Sequence, residues 1–534
     1  METIKQLKET ATRAYEETVA KMSSVEISET SGNADFAEER KGWHGYVEWE
    51  DYPEKKKLAA AVLAKFKFTP IPEFQLKPLP ETNPILIGHR WKEYYQVLGP
   101  TMANWPDESW EIVKKEKGEK MIHVLDFPYN GEPPADELMK GKITDNKYHF
   151  VRNHGNIPVI EPEEWSVEIG GMVNEPKRLT LHDLKTKFPI VEMTVTLQCS
   201  GTRRIEQIHE YPGEGDELIN APWAEGAIGT AKYKGVSLKK VLKYCGGLKD
   251  GAQHLEFIGA DTYFKKGRVY NYAVSVPWRK VKSNEVLLVW EMNGEPLPLI
   301  HGAPVRAVVT GYIGARSCKW LYKINALAHS SMGPVQRQEY LYYNHQLGKH
   351  NVKFSNGFSI QDMPVSSAMM FPKEKQVIIH DGKIECQGWA YSGGGRWVER
   401  VEVSPDGGHT WFPAAVQNMT TKHYHAWRLW KLEVPTYAEG WIELCVRCWD
   451  NANNTEPTFV RSAWNWDLHV TSSSHRVKIY SVNKTYPETA ERLRLLKEHG
   501  EEFEPITKPV GFAVETPEEY ERNVKEIGDR EPID

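Results

Sequence analysis

One short run of the sequence combines the residue types of a redox site for an oxyanion. Residues 195–204 read Val-Thr-Leu-Gln-Cys-Ser-Gly-Thr-Arg-Arg, so the thiol of Cys199 follows a strand-like stretch and precedes a glycine turn and two arginines. A thiolate is a good ligand for a soft metal, and a guanidinium binds an oxyanion through paired hydrogen bonds. The run therefore predicts a metal-assisted redox reaction on a small oxyanion.

Three further runs place arginine beside glycine or histidine. They are Val-Arg-Asn-His-Gly at 151–155, His-Gly-Ala-Pro-Val-Arg at 301–306 and Gly-Ala-Arg-Ser-Cys-Lys-Trp at 314–320. Glycine lets backbone amides approach a phosphate, and arginine grips it in a bidentate manner. Together the runs predict a phosphorylated cofactor. The P-loop and dinucleotide-binding glycine motifs are missing from the sequence, which disfavours the ordinary nucleotide-binding folds.

Six motifs in order resemble the successive signatures of the sulfite oxidase family of molybdenum enzymes. In this sequence they are Arg-Asn-His at 152–154, Leu-Gln-Cys-Ser-Gly-Thr-Arg-Arg at 197–204, 301–306, 314–321, Gln-Asp-Met-Pro-Val-Ser-Ser-Ala at 361–368 and Ala-Trp-Arg-Leu-Trp at 426–430. The resemblance covers about residues 145 to 485. It does not extend to the first 140 residues or the last 50.

The resemblance implies roles for individual residues. It implies that Cys199 is the thiolate ligand of the molybdenum and that Tyr340 hydrogen-bonds near the metal oxygen. The implied reaction is oxygen-atom transfer to sulfite, giving sulfate. The residues that match the sulfite pocket are Arg152, Arg204, Trp223, Arg428 and Tyr340, of which Arg152, Arg204 and Tyr340 join Cys199 as the expected catalytic set. The residues that match the pterin and phosphate contacts are His154, Asp261, His301, Arg306, Arg316, Ser317 and Lys319.

Two other functions stay open on the sequence. The form Arg-Asn-His-Gly at 152–155 resembles the assimilatory nitrate reductases, which share the fold and the cofactor, whereas Arg428 in its Ala-Trp-Arg-Leu-Trp context resembles the sulfite oxidases. The chain departs from the sulfite oxidase pattern at Ser200 and Thr202 and in a longer segment between Arg204 and Trp223. A catalytically inactive interaction protein of the same fold is the remaining alternative, although the presence of Cys199 and Tyr340 argues against it.

Composition limits the protein class. A chain of 534 residues implies two or more domains, and its net charge of -6 gives no reason to expect nucleic acid or an anionic membrane as a partner. Six cysteines in so long a chain do not form a disulfide framework, which suits a reducing compartment. The sequence shows no signal-peptide pattern and no apolar run of membrane-spanning length. We expect an intracellular, cytoplasmic protein.

The elements that must position these residues are predicted to form four segments and an α+β fold. Residues 1–140 read as an N-terminal extension that wraps or covers the rest. Residues 141–362 alternate short strands with helices and form the expected molybdopterin-binding catalytic domain. Residues 363–480 read as successive strands, with a hairpin at 398–411, and form an immunoglobulin-like sandwich, the family's dimerisation domain. Residues 481–534 form a charged tail with a helix at 487–499.

Electron transfer partners are predicted mainly from missing motifs. The sequence has neither a cytochrome b5 His-Pro-Gly-Gly segment nor Cys-x-x-Cys-His for covalent haem, so we expect no haem. The acceptor is then dioxygen or a separate protein. The resemblance implies a homodimer. The pair Cys445 and Cys448 has the spacing of zinc ligands, but both lie in a predicted strand where positions three apart face opposite sides, which disfavours zinc.

Overall fold

The computed structural model describes residues 105–125, 128–211, 221–265, 268–348 and 351–505. The predictions for residues 1–104 and for most of the C-terminal tail lie outside the described residues. The described chain mixes helices and strands up to about residue 360 and consists mainly of strands after it. This division confirms the predicted α+β class.

The first part is built from short elements, numbered in chain order. Its strands are β1 (Ile122–Leu125), β2 (Asn130–Glu132), β3 (Val151–Arg152), β4 (Ser166–Gly171), β5 (Lys177–Thr180), β6 (Ile190–Gln198), β7 (Ile228–Ser237), β8 (His254–Lys265), β9 (Arg268–Pro277), β10 (Val286–Met292), β11 (Glu295–Pro296), β12 (Arg306–Val309), β13 (Leu321–Leu327), β14 (Leu341–Tyr342) and β15 (Phe358–Ser359). Its α-helices are α1 (Trp105–Glu116), α2 (Ala135–Leu138), α3 (Leu181–Lys187), α4 (Arg204–Glu210), α5 (Leu238–Tyr244), α6 (Trp278–Lys282) and α7 (Pro334–Arg337). Turns of 3₁₀ helix occupy Leu299–His301, Gly314–Arg316 and Phe354–Asn356.

Two larger sheets form the core of the first part. One has the order β11-β10-β7-β6 with β12 also on β10, and the other has the order β5-β4-β13-β8-β9. β10 is almost continuously buried because its alternate side chains pack into two different apolar clusters, one on each face, which explains its apolar run. β6 is exposed where it begins and buried where it ends. The chain that follows β6 therefore emerges inside the protein.

The second part is a sandwich of two sheets. Its strands are β16 (Ser366–Phe371), β17 (Val377–His380), β18 (Lys383–Tyr391), β19 (Val398–Ser404), β20 (Phe412–Pro413), β21 (Arg428–Pro435), β22 (Gly440–Asp450) and β23 (His475–Asn483). The sheets have the orders β16-β18-β21 and β17-β23-β22-β19-β20, and they enclose one apolar core. The predicted hairpin is confirmed, because β19 pairs with β20 in antiparallel fashion. A 3₁₀ turn, Val416–Asn418, and two helices, α8 (Val460–Ala463) and α9 (Pro487–His499), complete this part.

The structure differs from the predicted segment boundaries at two places. β2 precedes residue 140, yet it pairs with β3 through Asn130 opposite Arg152. The carboxylate of Glu116, at the end of α1, accepts hydrogen bonds from the backbone N–H groups of Leu299 and Ile300 at 2.9 and 2.8 Å. The described residues between 105 and 140 thus belong to the first part of the fold. The composition of this stretch does not reveal it, because the short strand β2 forms only through its pairing with neighbouring strands. β23 also continues past the predicted boundary at 480.

The residue after the Cys199 turn joins the two parts of the protein. Arg203 is fully buried with φ of 65°, and its Nε and Nη2 donate to the two carboxylate oxygens of Glu206 at 2.6 and 2.7 Å. Its Nη1 donates to the carbonyls of Ser367 and Ser473 at 2.8 and 2.7 Å, and both of these residues belong to the sandwich. Arg203 therefore fixes the turn against the second part. Within the described residues, no helix has the length and apolar character needed to cross a membrane.

Replacing Arg203 tests this joint. Arg203→Leu leaves the carboxylate of Glu206 and two buried carbonyls without their donor, so we expect the free energy of unfolding to fall by about 3 to 5 kcal/mol. Denaturant unfolding followed by tryptophan fluorescence measures this change. Arg178→Leu is the control, because the Arg178 side chain is 70% exposed and its loss costs about 0.5 kcal/mol or less. Equal unfolding midpoints for the two variants would show that the hydrogen bonds of Arg203 do not stabilise the fold.

Candidate functional site

Cys199 lies directly after the buried end of β6. Its backbone N–H donates to the carbonyl of Ala227 at 2.9 Å, and the hydroxyl of Thr202 donates to the Cys199 carbonyl at 2.8 Å. The N–H of Gly201 donates to Cys199 Sγ at 3.4 Å. A side chain at Gly201 would place its Cβ 2.4 Å from Nη2 of Arg204. The turn needs glycine because the guanidinium lies so close behind it.

The thiol lies in the wall of a cavity whose empty space, with the open solvent at its mouth included, is about 610 Å³. Most of the residues singled out from the sequence line it together: Arg152, His154, Cys199, Asp261, His301, Arg306, Ser317, Lys319 and Tyr340. The rest of the wall consists of His149, Phe150, Val151, Leu197, Tyr272, Gly314 and Ala315.

Tyr340 and His154 form a hydrogen-bonded pair in this wall. Tyr340 Oη lies 2.5 Å from His154 Nε2, and the His154 ring packs on Tyr272 with centroids 4.6 Å apart. Burial raises the pKa of Tyr340 above its ordinary value, and the charge of Arg152 only partly opposes this effect. The phenol is therefore neutral at physiological pH. It is a hydrogen-bond donor at the cavity, held in place by its histidine partner.

The other predicted substrate residues of the first part surround Cys199. Arg152, on β3, lines the cavity; burial disfavours its charge, but Tyr340 and Cys199 outweigh burial and raise its pKa. Arg204 lies behind the thiol rather than in the cavity wall, and burial lowers its pKa, with Arg152 adding to the effect and Cys199 opposing it. Trp223 is buried and packs edge-on against Phe150 of the wall, with ring centroids 6.4 Å apart.

A second group of predicted residues gives the cavity more positive charge. Arg306 donates from Nη1 to the carbonyl of His301 at 3.0 Å and from Nη2 to the carbonyl of Ser317 at 2.9 Å. The ammonium of Lys319 bonds to the side-chain oxygen of Asn153. Burial lowers the pKa of Lys319 well below its ordinary value, and the charge of Arg306 lowers it further. Burial disfavours the charged forms of Arg306 and Lys319, and a bound anion would offset this cost.

Asp261 supplies an acceptor to the same cavity. Burial raises the pKa of its carboxyl group to about 7, while the charge of Lys319 opposes this rise. Its Oδ1 atom is buried and has no hydrogen-bond partner among the described residues. A buried polar atom of this kind is costly unless a ligand completes it. Asp261 can therefore accept a hydrogen bond from an N–H or O–H group of a ligand in the cavity.

Lys117, which the sequence analysis did not identify, supports His301 from outside the cavity. Its ammonium donates to the carbonyls of Asn146 and His149, both at 2.7 Å, and to Nε2 of His301 at 2.9 Å. As an ammonium, Lys117 can only donate to these three acceptors, and in that state the ring proton of His301 is on Nδ1. Burial lowers the pKa of Lys117 to about 7. Burial and the charge of Lys117 lower the pKa of His301, so its imidazole is neutral.

Besides Arg204 and Trp223, two more predicted site residues lie outside the cavity wall. Arg316 is fully engaged elsewhere: its guanidinium donates to the carbonyl of Ile360 at 2.8 Å and to the side chain of Gln336 at 2.7 Å. Arg428, on β21, donates from Nε to the carbonyl of Thr420 at 2.8 Å and from Nη1 to the carbonyl of Val398 at 3.3 Å. The structure does not bring either guanidinium to the cavity. Their positions show that a motif match does not fix a side chain's direction.

Several side chains at the site gave no clear signal in the sequence. Lys117 lies in a Lys- and Glu-rich stretch that is typical of a solvated surface. Tyr272 follows Tyr270 in β9, and aromatic residues of a strand usually belong to the core. His469 lies near Arg204 and Tyr340 although it is more than 100 residues from either. Only His149 was within reach of sequence reasoning, because it precedes the 151–155 run directly.

Another cluster of potential metal ligands is present among the described residues. Glu206, Glu225 and His475 bring their ligand atoms within 4.8 Å of one another. However, Nδ1 of His475 accepts a hydrogen bond from the backbone of Met369 at 2.9 Å, so its Nε2 carries the proton and faces the carboxylates. Arg203 already occupies both oxygens of Glu206. The cluster is an ion-pair network rather than a metal centre.

Comparisons with known proteins identify the family. Residues 154–335 match the family described as "Oxidoreductase molybdopterin binding domain", and residues 357–482 match "Mo-co oxidoreductase dimerisation domain". Sulfite oxidase of Arabidopsis thaliana is 33% identical over 66% of this chain and 91% of its own length. The chain belongs to the sulfite oxidase family. Human mitochondrial sulfite oxidase is 37% identical over 66% of this chain, and the match spans 64% of the human protein.

Two other similarities show that this fold alone does not decide the substrate. A nitrate reductase of Phaseolus vulgaris is 34% identical over 66% of this chain, but over only 41% of its own length. The structure of the sulfane dehydrogenase SoxCD from Paracoccus pantotrophus superposes with a TM-score of 0.55 at 24% identity, covering 66% of this chain and 84% of that one. The SoxCD likeness supports the fold. Proteins with different named substrates thus share this architecture.

The cavity's donor set fits the molybdenum cofactor that the matched family binds. Arg306 and Lys319 are buried cations suited to a phosphate, and the unpaired Oδ1 of Asp261 suits a pterin N–H group. Cys199 offers a soft sulfur ligand in the same cavity. Lys117 and Glu116 hold the 3₁₀ turn that carries His301, and both lie N-terminal to the residues matched by the family.

Replacing Lys117 tests whether this support serves the cofactor. Lys117→Met removes a charged hydrogen bond from His301 and leaves its Nε2 without a donor, so we expect cofactor retention to weaken about tenfold. Molybdenum per chain, measured by mass spectrometry after dialysis, should fall. Lys114→Met is the control, because the Lys114 side chain is 56% exposed and bonds only to Glu111 among the described residues. Equal molybdenum contents in the two variants would contradict this role.

Proposed function

We propose that this protein uses a molybdenum cofactor to oxidise sulfite to sulfate. The observation that carries the proposal is a single cavity containing the thiol of Cys199, the guanidinium of Arg152 and the phenol of Tyr340. A soft sulfur ligand suits molybdenum, and a buried cation with a neutral donor suits a small dianion. Membership of the sulfite oxidase family supports the same reaction.

We assign the cofactor to the polar residues of the cavity. Arg306, Lys319 and Ser317 would hold its phosphate, Asp261 and His301 would contact its pterin, and Cys199 would be its protein ligand. When bound, the group supplies two-electron redox chemistry and oxygen-atom transfer. The neutral state of His301 suits this role, because a donor on Nδ1 directs a hydrogen bond without adding to the cavity's positive charge.

The chain's own residues would then act on the oxyanion. Arg152 attracts the sulfite dianion and stabilises the sulfate that forms, and its charge acts strongly because the site is buried. Arg204 adds to the same positive field from behind the thiol. Tyr340, kept neutral by burial, donates a hydrogen bond to an oxygen of the substrate, while His154 fixes the direction of its hydroxyl group.

Nitrate reduction on the same cofactor is the second candidate, and the similarity to the Phaseolus nitrate reductase favours it. Arg428 was the sequence argument for sulfite, but its guanidinium is bonded to the carbonyls of Thr420 and Val398. The preference for sulfite therefore rests on the sulfite oxidase relatives. An inactive interaction protein is disfavoured by the intact cluster of Cys199, Arg152 and Tyr340 in one cavity.

The partners and the compartment are part of the proposal. The match to a dimerisation domain supports a homodimer formed through the sandwich. Electrons would pass to dioxygen or to a separate acceptor, and the prediction that the chain binds no haem is kept. The cytoplasm remains the predicted compartment, although the printed name of the human relative places that protein in mitochondria.

Replacing the thiol is the direct test of the metal ligand. Cys199→Ser should leave the fold intact, because the side chain changes little in size, and should abolish sulfite-dependent reduction of ferricyanide, with a loss of at least about a thousandfold. Circular dichroism and molybdenum analysis accompany the assay. Cys386→Ser, at a buried cysteine of the sandwich, is the control and should keep activity. Appreciable turnover by Cys199→Ser would exclude the assignment.

A paired assay distinguishes the two substrates. The purified wild-type protein is given sulfite with ferricyanide or dioxygen, and separately nitrate with a reduced viologen. We expect sulfite turnover at least about a hundredfold faster in kcat/KM than nitrate turnover, a difference of about 2.7 kcal/mol in transition-state stabilisation. Nitrate turnover without sulfite turnover would reverse the assignment. Protein without molybdenum and without either activity would favour the interaction protein.

A further inference from the structure

A loop of the sandwich part enters the site from the far end of the sequence. The loop lies between α8 and β23, and it carries Asp467 and His469, both almost completely buried. The N–H of Val470 donates to the carbonyl of Ser200, next to Cys199, at 2.5 Å. Leu468 and Val470 both adopt positive φ, 52° and 57°. Such a conformation is costly for branched side chains, and it persists only where surrounding contacts impose it.

The hydrogen bonds of His469 determine its tautomer. Its Nδ1 lies 3.1 Å from Nη2 of Arg204 and 2.9 Å from Oγ of Ser200, and its Nε2 lies 3.1 Å from Oδ2 of Asp467. A guanidinium only donates, so Nδ1 must accept, and the ring proton is on Nε2. That proton is directed at the carboxylate of Asp467. The ring is thus held neutral, with its acceptor nitrogen toward the arginine.

The loop controls the direction of the Arg204 guanidinium. Nε donates to the carbonyl of Leu468 at 2.8 Å, Nη1 donates to the carbonyl of Ala221 at 2.6 Å, and Nη2 donates to His469. Two of these three acceptors belong to the loop. Without His469, Nη2 would lose the partner that sets the rotation of this end of the side chain.

The same imidazole also contacts the proposed catalytic tyrosine. The rings of His469 and Tyr340 are stacked, with centroids 5.2 Å apart and planes 25° apart. The opposite constraint on Tyr340 is the hydrogen bond between its Oη and Nε2 of His154, in which the imidazole N–H donates when the hydroxyl proton faces the substrate. One side chain therefore touches both the arginine and the tyrosine that are proposed to meet the substrate.

We propose that His469, oriented by Asp467, is the positioning residue of the oxyanion site: its Nδ1 holds the Arg204 guanidinium close to Cys199, where its charge attracts a tetrahedral sulfur oxyanion, and its ring holds Tyr340. This inference rests on the proposed function, because it assigns Arg204 and Tyr340 to the substrate. It makes the sandwich a contributor to the active site as well as a candidate for dimerisation.

Two substitutions at one position separate the two contacts. His469→Phe keeps a flat ring against Tyr340 but removes the acceptor for Arg204, so we expect the sulfite KM and the inhibition constant of sulfate to rise about tenfold, with kcat within about threefold of wild type. His469→Gln keeps an acceptor oxygen but removes the ring, so we expect KM within about threefold of wild type and kcat about tenfold lower. A purely structural role would not produce this opposite pattern.

Controls distinguish positioning from loss of stability. His380→Phe removes another buried, hydrogen-bonded imidazole, in β17, and should leave KM and the sulfate inhibition constant unchanged. Molybdenum content and thermal unfolding are measured for all variants. The proposal is overturned if His469→Phe leaves sulfate affinity unchanged, or if the only kinetic change is a loss of kcat in proportion to lost molybdenum.

A binding measurement separates this inference from the proposed function. Sulfate binding to the wild-type and His469→Phe holoproteins is measured by calorimetry, which needs no turnover. If the wild type does not oxidise sulfite, the proposed function fails. A tenfold weaker sulfate affinity in His469→Phe would still support positioning of Arg204, and equal affinities would exclude it.

Discussion

The site depends on keeping several positive charges inside the protein. Arg152, Arg306 and Lys319 line one buried cavity, and Lys117 and Arg204 lie just outside its wall. Burying a charge is costly unless hydrogen bonds compensate it. The fold meets this cost mainly with backbone carbonyls, which satisfy N–H groups without neutralising the charge. The positive potential therefore remains available to an anionic ligand.

This requirement explains why distant segments meet around Cys199. Lys117 comes from the N-terminal side of the matched family, the thiol comes from the end of β6, and His469 comes from a loop of the sandwich. Each segment supplies an acceptor or a donor that a neighbouring cation or imidazole needs. Arg203 connects the two parts directly, because its guanidinium donates hydrogen bonds from the Cys199 turn to two carbonyls of the sandwich. The two parts of the chain form one site as a result.

Much of the fold could be predicted from local pattern. The helix at Pro487–His499 has the predicted bounds, and the hairpin of β19 and β20 and the apolar strand β10 follow from alternation, turn residues and burial. The failures concern long-range pairing. β2 is only three residues long and exists because β1 and β3 pair with it, so the composition around it indicated an extension. Local sequence does not encode such a strand strongly.

The sequence by itself determined most of the polar wall of the cavity: its motifs identify Cys199 and eight of the other residues that line it, because the motifs carry the residue types suited to a soft metal and a phosphate. Only the tertiary structure decided which arginines reach that cavity. Arg316 and Arg428 turn to carbonyls elsewhere, whereas Lys117 and His469 approach from unmatched or distant positions. A side chain's direction depends on which buried acceptors surround it, and those acceptors come from segments far apart in the chain.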